Sequence, residues 1–318
     1  MTEPLSDYDS PWKEALEYYF EAFMAFFFPQ AHADIAWSRG YEFMDKELQQ
    51  VVRDAELGRR LADKLVKVWR NNGEETWVLV HIEVQGQVEA SFARRMYVYN
   101  YRLFDRYDRQ VVSLAVLGDE QADWRPVEYG YALWNCRVSL QFPALKLLDY
   151  TARWDELEAS ANPFAVVVMA HLKAQATRQD VNERSNWKLR LVRGLYERGF
   201  TRHDVLELFR IIDWMIWLPE ELTQGFQTAV ANYEEEKRMP YVTSIERLGI
   251  QKGRQEGRQE GEVIMARRSL IEVLKARFTT VSPTIVEAID RIDNPGTLMD
   301  LLRRAVTVQR LEDFAQAI

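Results

Sequence analysis

Two strand-patterned segments joined by an Asn-Gly turn constrain this chain more than any other feature. The first, Asp63-Lys64-Leu65-Val66-Lys67-Val68-Trp69, alternates polar and apolar residues, which reads as a half-buried strand. Arg70 to Glu75 contains Asn72-Gly73 and supplies the turn, and Thr76 to Val84 forms the second strand. A hairpin commits the domain to a sheet with at least one antiparallel pair. It also brings the start of the first strand beside the end of the second. Those ends carry Asp63 and Glu83. The apolar run Trp77-Val78-Leu79-Val80 gives way to His81-Ile82-Glu83-Val84-Gln85, where the two-residue period puts Glu83 and Gln85 on one face.

The flanking sequence sets this hairpin in an α/β domain. Asp9 or Ser10 caps a helix with Pro11 in its first turn, running to Phe28 and stopping at Pro29. Asp45 to Val52 is a charged helical segment. Residues 88–108 form a helix with Phe92, Met96, Tyr99 and Leu103 at helical spacing. Gln110 to Leu117 and Tyr131 to Val138 read as strands, and Leu145 to Tyr150 as a further apolar piece. The order helix, hairpin, helix, strand describes a mixed sheet flanked by helices. From 155 to 236 the pattern is helical: Pro163 to Ala176, Asn186 to Arg198, His203 to Trp217 and Leu222 to Lys237. Residues 249–262 repeat glycine every fourth position and read as a tether. Two or three helices follow, broken at Ser282-Pro283 and Asn294-Pro295-Gly296. The expected division is 1–150 for the α/β domain, 151–240 for a helical extension, 241–262 for the linker and 263–318 for a small helical domain. Apolar stripes in the last suit self-packing or a homo-oligomer.

Composition narrows the classes. Hydrophobic residues make up 47% of the 318 and aromatic residues 12%, enough for a substantial core. A net charge of −8 argues against a wholly basic nucleic-acid binder while leaving room for a local basic cleft. The single cysteine, Cys136, rules out an intramolecular disulfide and a cysteine-rich zinc site, and is expected to be a small buried hydrophobe. The opening MTEPLSDYDSP is acidic where a signal peptide is basic and then apolar. The apolar stretch Ala22 to Phe28 is far shorter than the roughly 20 residues of a membrane span. A cytoplasmic protein without a membrane partner is expected.

Two carboxylates brought together at hairpin ends repel unless a cation lies between them. Hard oxygen ligands in an open site suit Mg²⁺ or Mn²⁺. The structural alternative makes Asp63 a strand-start cap and pairs Glu83 with Arg95. Asp63…Glu83-Val84-Gln85 resembles the acidic signature of the PD-(D/E)xK phosphodiesterase superfamily. More narrowly, it resembles the Rpn family of recombination-promoting nucleases, long known under the name of transposases. The matching positions are Asp9 and Lys13, Asp63, the run His81 to Gln85, Arg95-Met96 and Tyr99, and the likeness spans roughly residues 5–150. It implies a PD-(D/E)xK nuclease-like fold and a metal-dependent DNA endonuclease acting in recombination or on mobile or foreign DNA. Asp63 and Glu83 would hold Mg²⁺ or Mn²⁺ with the Val84 carbonyl, and Gln85 would orient water or phosphate. Gln85 stands where most of the superfamily has lysine. Asp9, Lys13 and Glu17 are accessory candidates from the first helix.

The following helix carries Arg94, Arg95, Arg102, Arg106 and Arg109, most of them at spacings that share a face. Arg95, Tyr99 and Arg102 are the expected contacts to a DNA backbone. The alternative function is a catalytically inactive, nuclease-like DNA-binding or oligomeric adaptor.

Overall fold

The computed structural model describes residues 9–54, 64–83, 91–239, 241, 263–274, 277–278, 283–292, 294–308, 310–311 and 314. The chain divides into two compact units, Met1–Tyr241 and Val242–Ile318. The glycine repeat lies outside the described residues.

In the first unit, α1 (Asp9–Phe27) ends before the proline that opens α2 (Pro29–Asp34), because proline cannot continue the preceding hydrogen-bond ladder. Then come β1 (Glu42–Phe43), α3 (Asp45–Asp54), β2 (Lys64–Trp69), β3 (Glu75–Glu83), α4 (Phe92–Tyr107) and β4 (Val111–Leu117). A hairpin of β5 (Glu128–Leu133) and β6 (Cys136–Gln141) precedes the short β7 (Ala144–Lys146). Among the described residues the main sheet runs β1-β2-β3-β4-β7, with β5-β6 a separate pair. β2 pairs antiparallel with β3, Lys64 opposite Val80 and Trp69 opposite Glu75. β3, β4 and β7 are mutually parallel, so the sheet is mixed.

Both faces of this sheet are covered. α1 reaches one face, where the Glu17 carboxylate meets Lys64. On the other, Leu48 and Val51 of α3 and Tyr99 and Leu103 of α4 pack with Leu65 and Trp77. Phe92 and Met96 of α4 pack with Ala115, Leu117 and Phe142. The half-burial expected for β2 is therefore corrected: Lys64, Leu65 and Val66 are all buried. Alternation predicts one wet face only when nothing covers the second.

The expected strand from Tyr131 to Val138 is also corrected. The chain reverses at Trp134 and Asn135, both at positive φ (47° and 66°), leaving Leu133 opposite Cys136. Two successive positive φ values define a two-residue hairpin turn whose twist matches the strands. Gly130 is required in β5, since a Cβ there would lie 2.7 Å from the Val138 carbonyl oxygen. Cys136 follows the turn and is exposed rather than buried.

Helices α5 (Trp154–Ala159), α6 (Pro163–Ala176), α7 (Val181–Glu197), α8 (Arg202–Met215) and α9 (Glu220–Lys237) complete the unit. The α6 run from Phe164 to Ala170 is buried throughout, which explains its lack of a polar face. Asn162 caps α6 by accepting from the Phe164 N–H at 2.8 Å and donates to the Ala22 carbonyl of α1 at 2.9 Å. Thr201 and Asp204 form a reciprocal capping box at the start of α8. The second unit contains α10 (residues 263–274), α11 (Pro283–Asp290) and α12 (Pro295–Thr307). Leu270, Leu274, Ile289, Leu298 and Phe314 form its own core, so its apolar stripes close on one another.

Candidate functional site

One end of the sheet collects charge. The carboxyl ends of the parallel strands β3, β4 and β7 lie there, the position at which open α/β sheets hold ligands. Glu83 closes β3, and register places it in one row with Leu117 of β4 and Lys146 of β7. Lys64 opens the antiparallel β2 at the same end.

Lys64 is fully buried, yet its ammonium donates to the Glu17 carboxylate of α1 and, at 2.9 Å, to Asp45 Oδ2 at the start of α3. Those carboxylates keep 46% and 39% of their side-chain surface in water. The arrangement removes only the cation from solvent and compensates it twice, which limits the desolvation cost. The Phe43 ring, 5.1 Å from the ammonium, closes another side. Glu17 thus has a cationic partner already, which its reading as an accessory metal ligand did not include.

Beyond the end of β4 lies a dry network. Lys146 Nζ donates to Asp119 Oδ1 at 2.5 Å and to the Trp124 carbonyl at 3.2 Å, with both charged side chains fully buried. The Gly118 carbonyl accepts from His171 Nε2 at 2.9 Å and from Gln175 Nε2 at 2.6 Å. Trp12 Nε1 donates to His171 Nδ1 at 3.3 Å. A carbonyl accepts and an indole N–H donates, so His171 is neutral with its proton on Nε2. Burial pushes its pKa down to about 4. Together these bonds fix the end of β4 against α1, α6 and β7.

The expected site residues distribute as follows. Asp63, Val84 and Gln85 lie outside the described residues, and the Glu83 backbone is the last of β3. Asp9 opens α1, and Lys13 is half-buried within it. Arg95 and Tyr99 are 3% and 1% exposed, on the face of α4 turned into the protein. Tyr99 packs with Leu65, Trp77 and Leu103. Arg102 is partly exposed, its Nε 3.5 Å from the Tyr101 hydroxyl. The face expected for Arg95, Arg102, Arg106 and Arg109 therefore divides, with Arg95 inside, Arg102 partly exposed, and Arg106 and Arg109 outside. Among the described residues no group of three His, Cys, Asp or Glu side chains is placed to hold a metal. No described helix is long and apolar enough to cross a membrane.

Lys64, Asp45, Asp119, Lys146 and His171 carry this end of the sheet and were missed in the sequence. The only signal was a lysine beginning a strand whose next two residues, Leu65 and Val66, are both apolar. Compared with protein-family models, curated proteins and solved structures, the chain matches none.

Proposed function

We propose that the first unit is a metal-dependent DNA endonuclease of the PD-(D/E)xK type, hydrolysing phosphodiester bonds in recombination or on mobile or foreign DNA. The observation that carries this reading is the position of Glu83. It ends the central strand of a helix-flanked mixed sheet, where the carboxyl ends of three parallel strands meet. Asp63 directly precedes β2, which begins at that same end.

Two carboxylates and a backbone carbonyl are a hard-oxygen donor set of the kind Mg²⁺ or Mn²⁺ takes. Asp63 and Glu83 would hold the ion with Val84, and the bound ion would lower the pKa of water and stabilise charge on phosphate. Gln85 orients water or a phosphate oxygen by hydrogen bonding without adding charge. Lys64 holds Glu17 and Asp45 in fixed positions at the start of β2, and the Asp119–Lys146 pair holds the end of β4. Pre-set neighbours of this kind keep catalytic geometry at low reorganisation cost.

Asp63→Ala and Glu83→Ala should each abolish Mg²⁺-dependent nicking of supercoiled plasmid while the circular dichroism spectrum stays that of the parent. Equal cutting by parent and variants would remove the reading. Absence of cutting in all three, with no Mn²⁺ bound in calorimetry, would instead make the protein a non-catalytic adaptor.

A further inference from the structure

The β5–β6 hairpin carries an aromatic residue that the fold does not use. Trp134 sits at its tip, 91% exposed and at a φ of 47°. A two-residue turn of this kind favours Asn or Gly, and a bulky side chain at positive φ is strained. Burial of the ring does nothing to offset that strain. Strain of this kind, kept without a structural return, marks functional positions.

The hairpin also has an apolar face that outruns its cover. Tyr129, Tyr131 and Leu133 alternate onto one side, opposite Leu140, Val138 and Cys136. At the base that side is held to α4, where the Tyr97 ring lies 5.2 Å from Tyr129. Further out it opens to water, Tyr131 being 53% and Leu133 61% exposed. Tyr101 continues the aromatic row on α4, 5.2 Å from Tyr97 and 41% exposed.

Positive charge accompanies these rings. α4 presents three arginines at least partly to solvent, Arg94, Arg102 and Arg106, against one aspartate, on a chain whose net charge is −8. Arg94 lies one helical turn before Tyr97 and is exposed. An apolar arm alone would suit a second copy as well. A second copy brings eight more negative charges, whereas a polynucleotide brings phosphates to the arginines and flat bases to the rings.

We propose that the hairpin and the outer face of α4 bind a strand of DNA, with bases stacked on Trp134 and Tyr131 and phosphates held by Arg94. The choice of DNA rests on the nuclease reading above. The surface lies one step around α4 from Arg95 and Tyr99, which face inward.

Fluorescence anisotropy with a short labelled single-stranded DNA, in EDTA so that cleavage plays no part, tests this. Trp134→Asn removes the ring and suits the turn better, so thermal stability should hold or rise. Affinity should fall about tenfold, the usual weight of one stacked base. Arg94→Ala, at an exposed position, should lessen the salt dependence of log Kd by about one. Unchanged affinity and salt slope in these variants would overturn the surface, even if Asp63→Ala and Glu83→Ala abolish nicking. Weaker binding in the variants would uphold it, even if no nicking is found. A loss of self-association in sedimentation with DNA affinity unchanged would make the arm a contact between copies and overturn the proposal.

Discussion

At the scale of single residues, buried polar groups govern the behaviour of this protein. His171 is neutral in the fold, with a pKa near 4 against an ordinary 6.5. Above pH 6.5 both folded and unfolded chains carry it uncharged, and it has no effect on stability. Below that, the unfolded chain takes up the proton first, so stability falls progressively from pH 6.5 to about 4. The loss should reach up to about 3 kcal/mol, at 1.36 kcal/mol per pH unit. Urea unfolding of parent and His171→Gln across this range checks it, since only the parent should show this component. Identical slopes would mean that Nδ1 and Nε2 are not held as described. Two lysines form a graded comparison. Lys64→Met leaves Glu17 and Asp45 facing each other but still reached by water, for a cost of about 2 kcal/mol. Lys146→Met strands a fully buried Asp119 and should cost about 4 kcal/mol, partly restored by adding Asp119→Asn. The reverse order in chemical denaturation would mean that burial does not set the cost.

At the scale of elements, the sequence was read well wherever a local pattern has one structural meaning. The turn at Asn72-Gly73 and the helix opened by Pro163 lie where those residues place them, and Pro11 falls in the first turn of α1, which Asp9 and Ser10 belong to rather than cap. The apolar stripe Phe92, Met96, Tyr99 and Leu103 is the buried face of α4. The errors share a cause. β2 reads as half-buried but is buried on both faces, because α1 covers the face that carries Lys64 while α3 and α4 cover the one that carries Leu65. Trp134-Asn135 carries no glycine, so the turn within Tyr131 to Val138 gave no signal. Arg95 was assigned to a surface by charge, although position 95 shares the helical phase of Phe92 and Tyr99. Of the candidate site, the place of Glu83 at the end of β3 is legible as a short-range pattern, while Asp63 lies outside the described residues. Asp119, Lys146 and His171 were not, being brought together from β4, β7 and α6.

At the scale of the whole molecule, each unit encloses its own apolar core, one extending across α1, the sheet and α6 to α9, the other across α10 to α12. Chains of two compact units depart from a single two-state transition. Differential scanning calorimetry of the full chain should show two transitions. A chain ending at Tyr241 should keep the larger one. The smaller should come at lower temperature, since a domain of this size buries a smaller fraction of its surface. A single transition lost on truncation would show that the units fold as one. The sequence by itself determined the class of most described segments and the antiparallel β2–β3 hairpin. Periodicity, turn chemistry and proline act over a few residues and need no distant partner. Tertiary structure alone decided which charges are buried, which face of α4 is outward and which residues meet at the end of the sheet. Burial and pairing depend on what packs against a residue from elsewhere in the chain, and no local pattern records that.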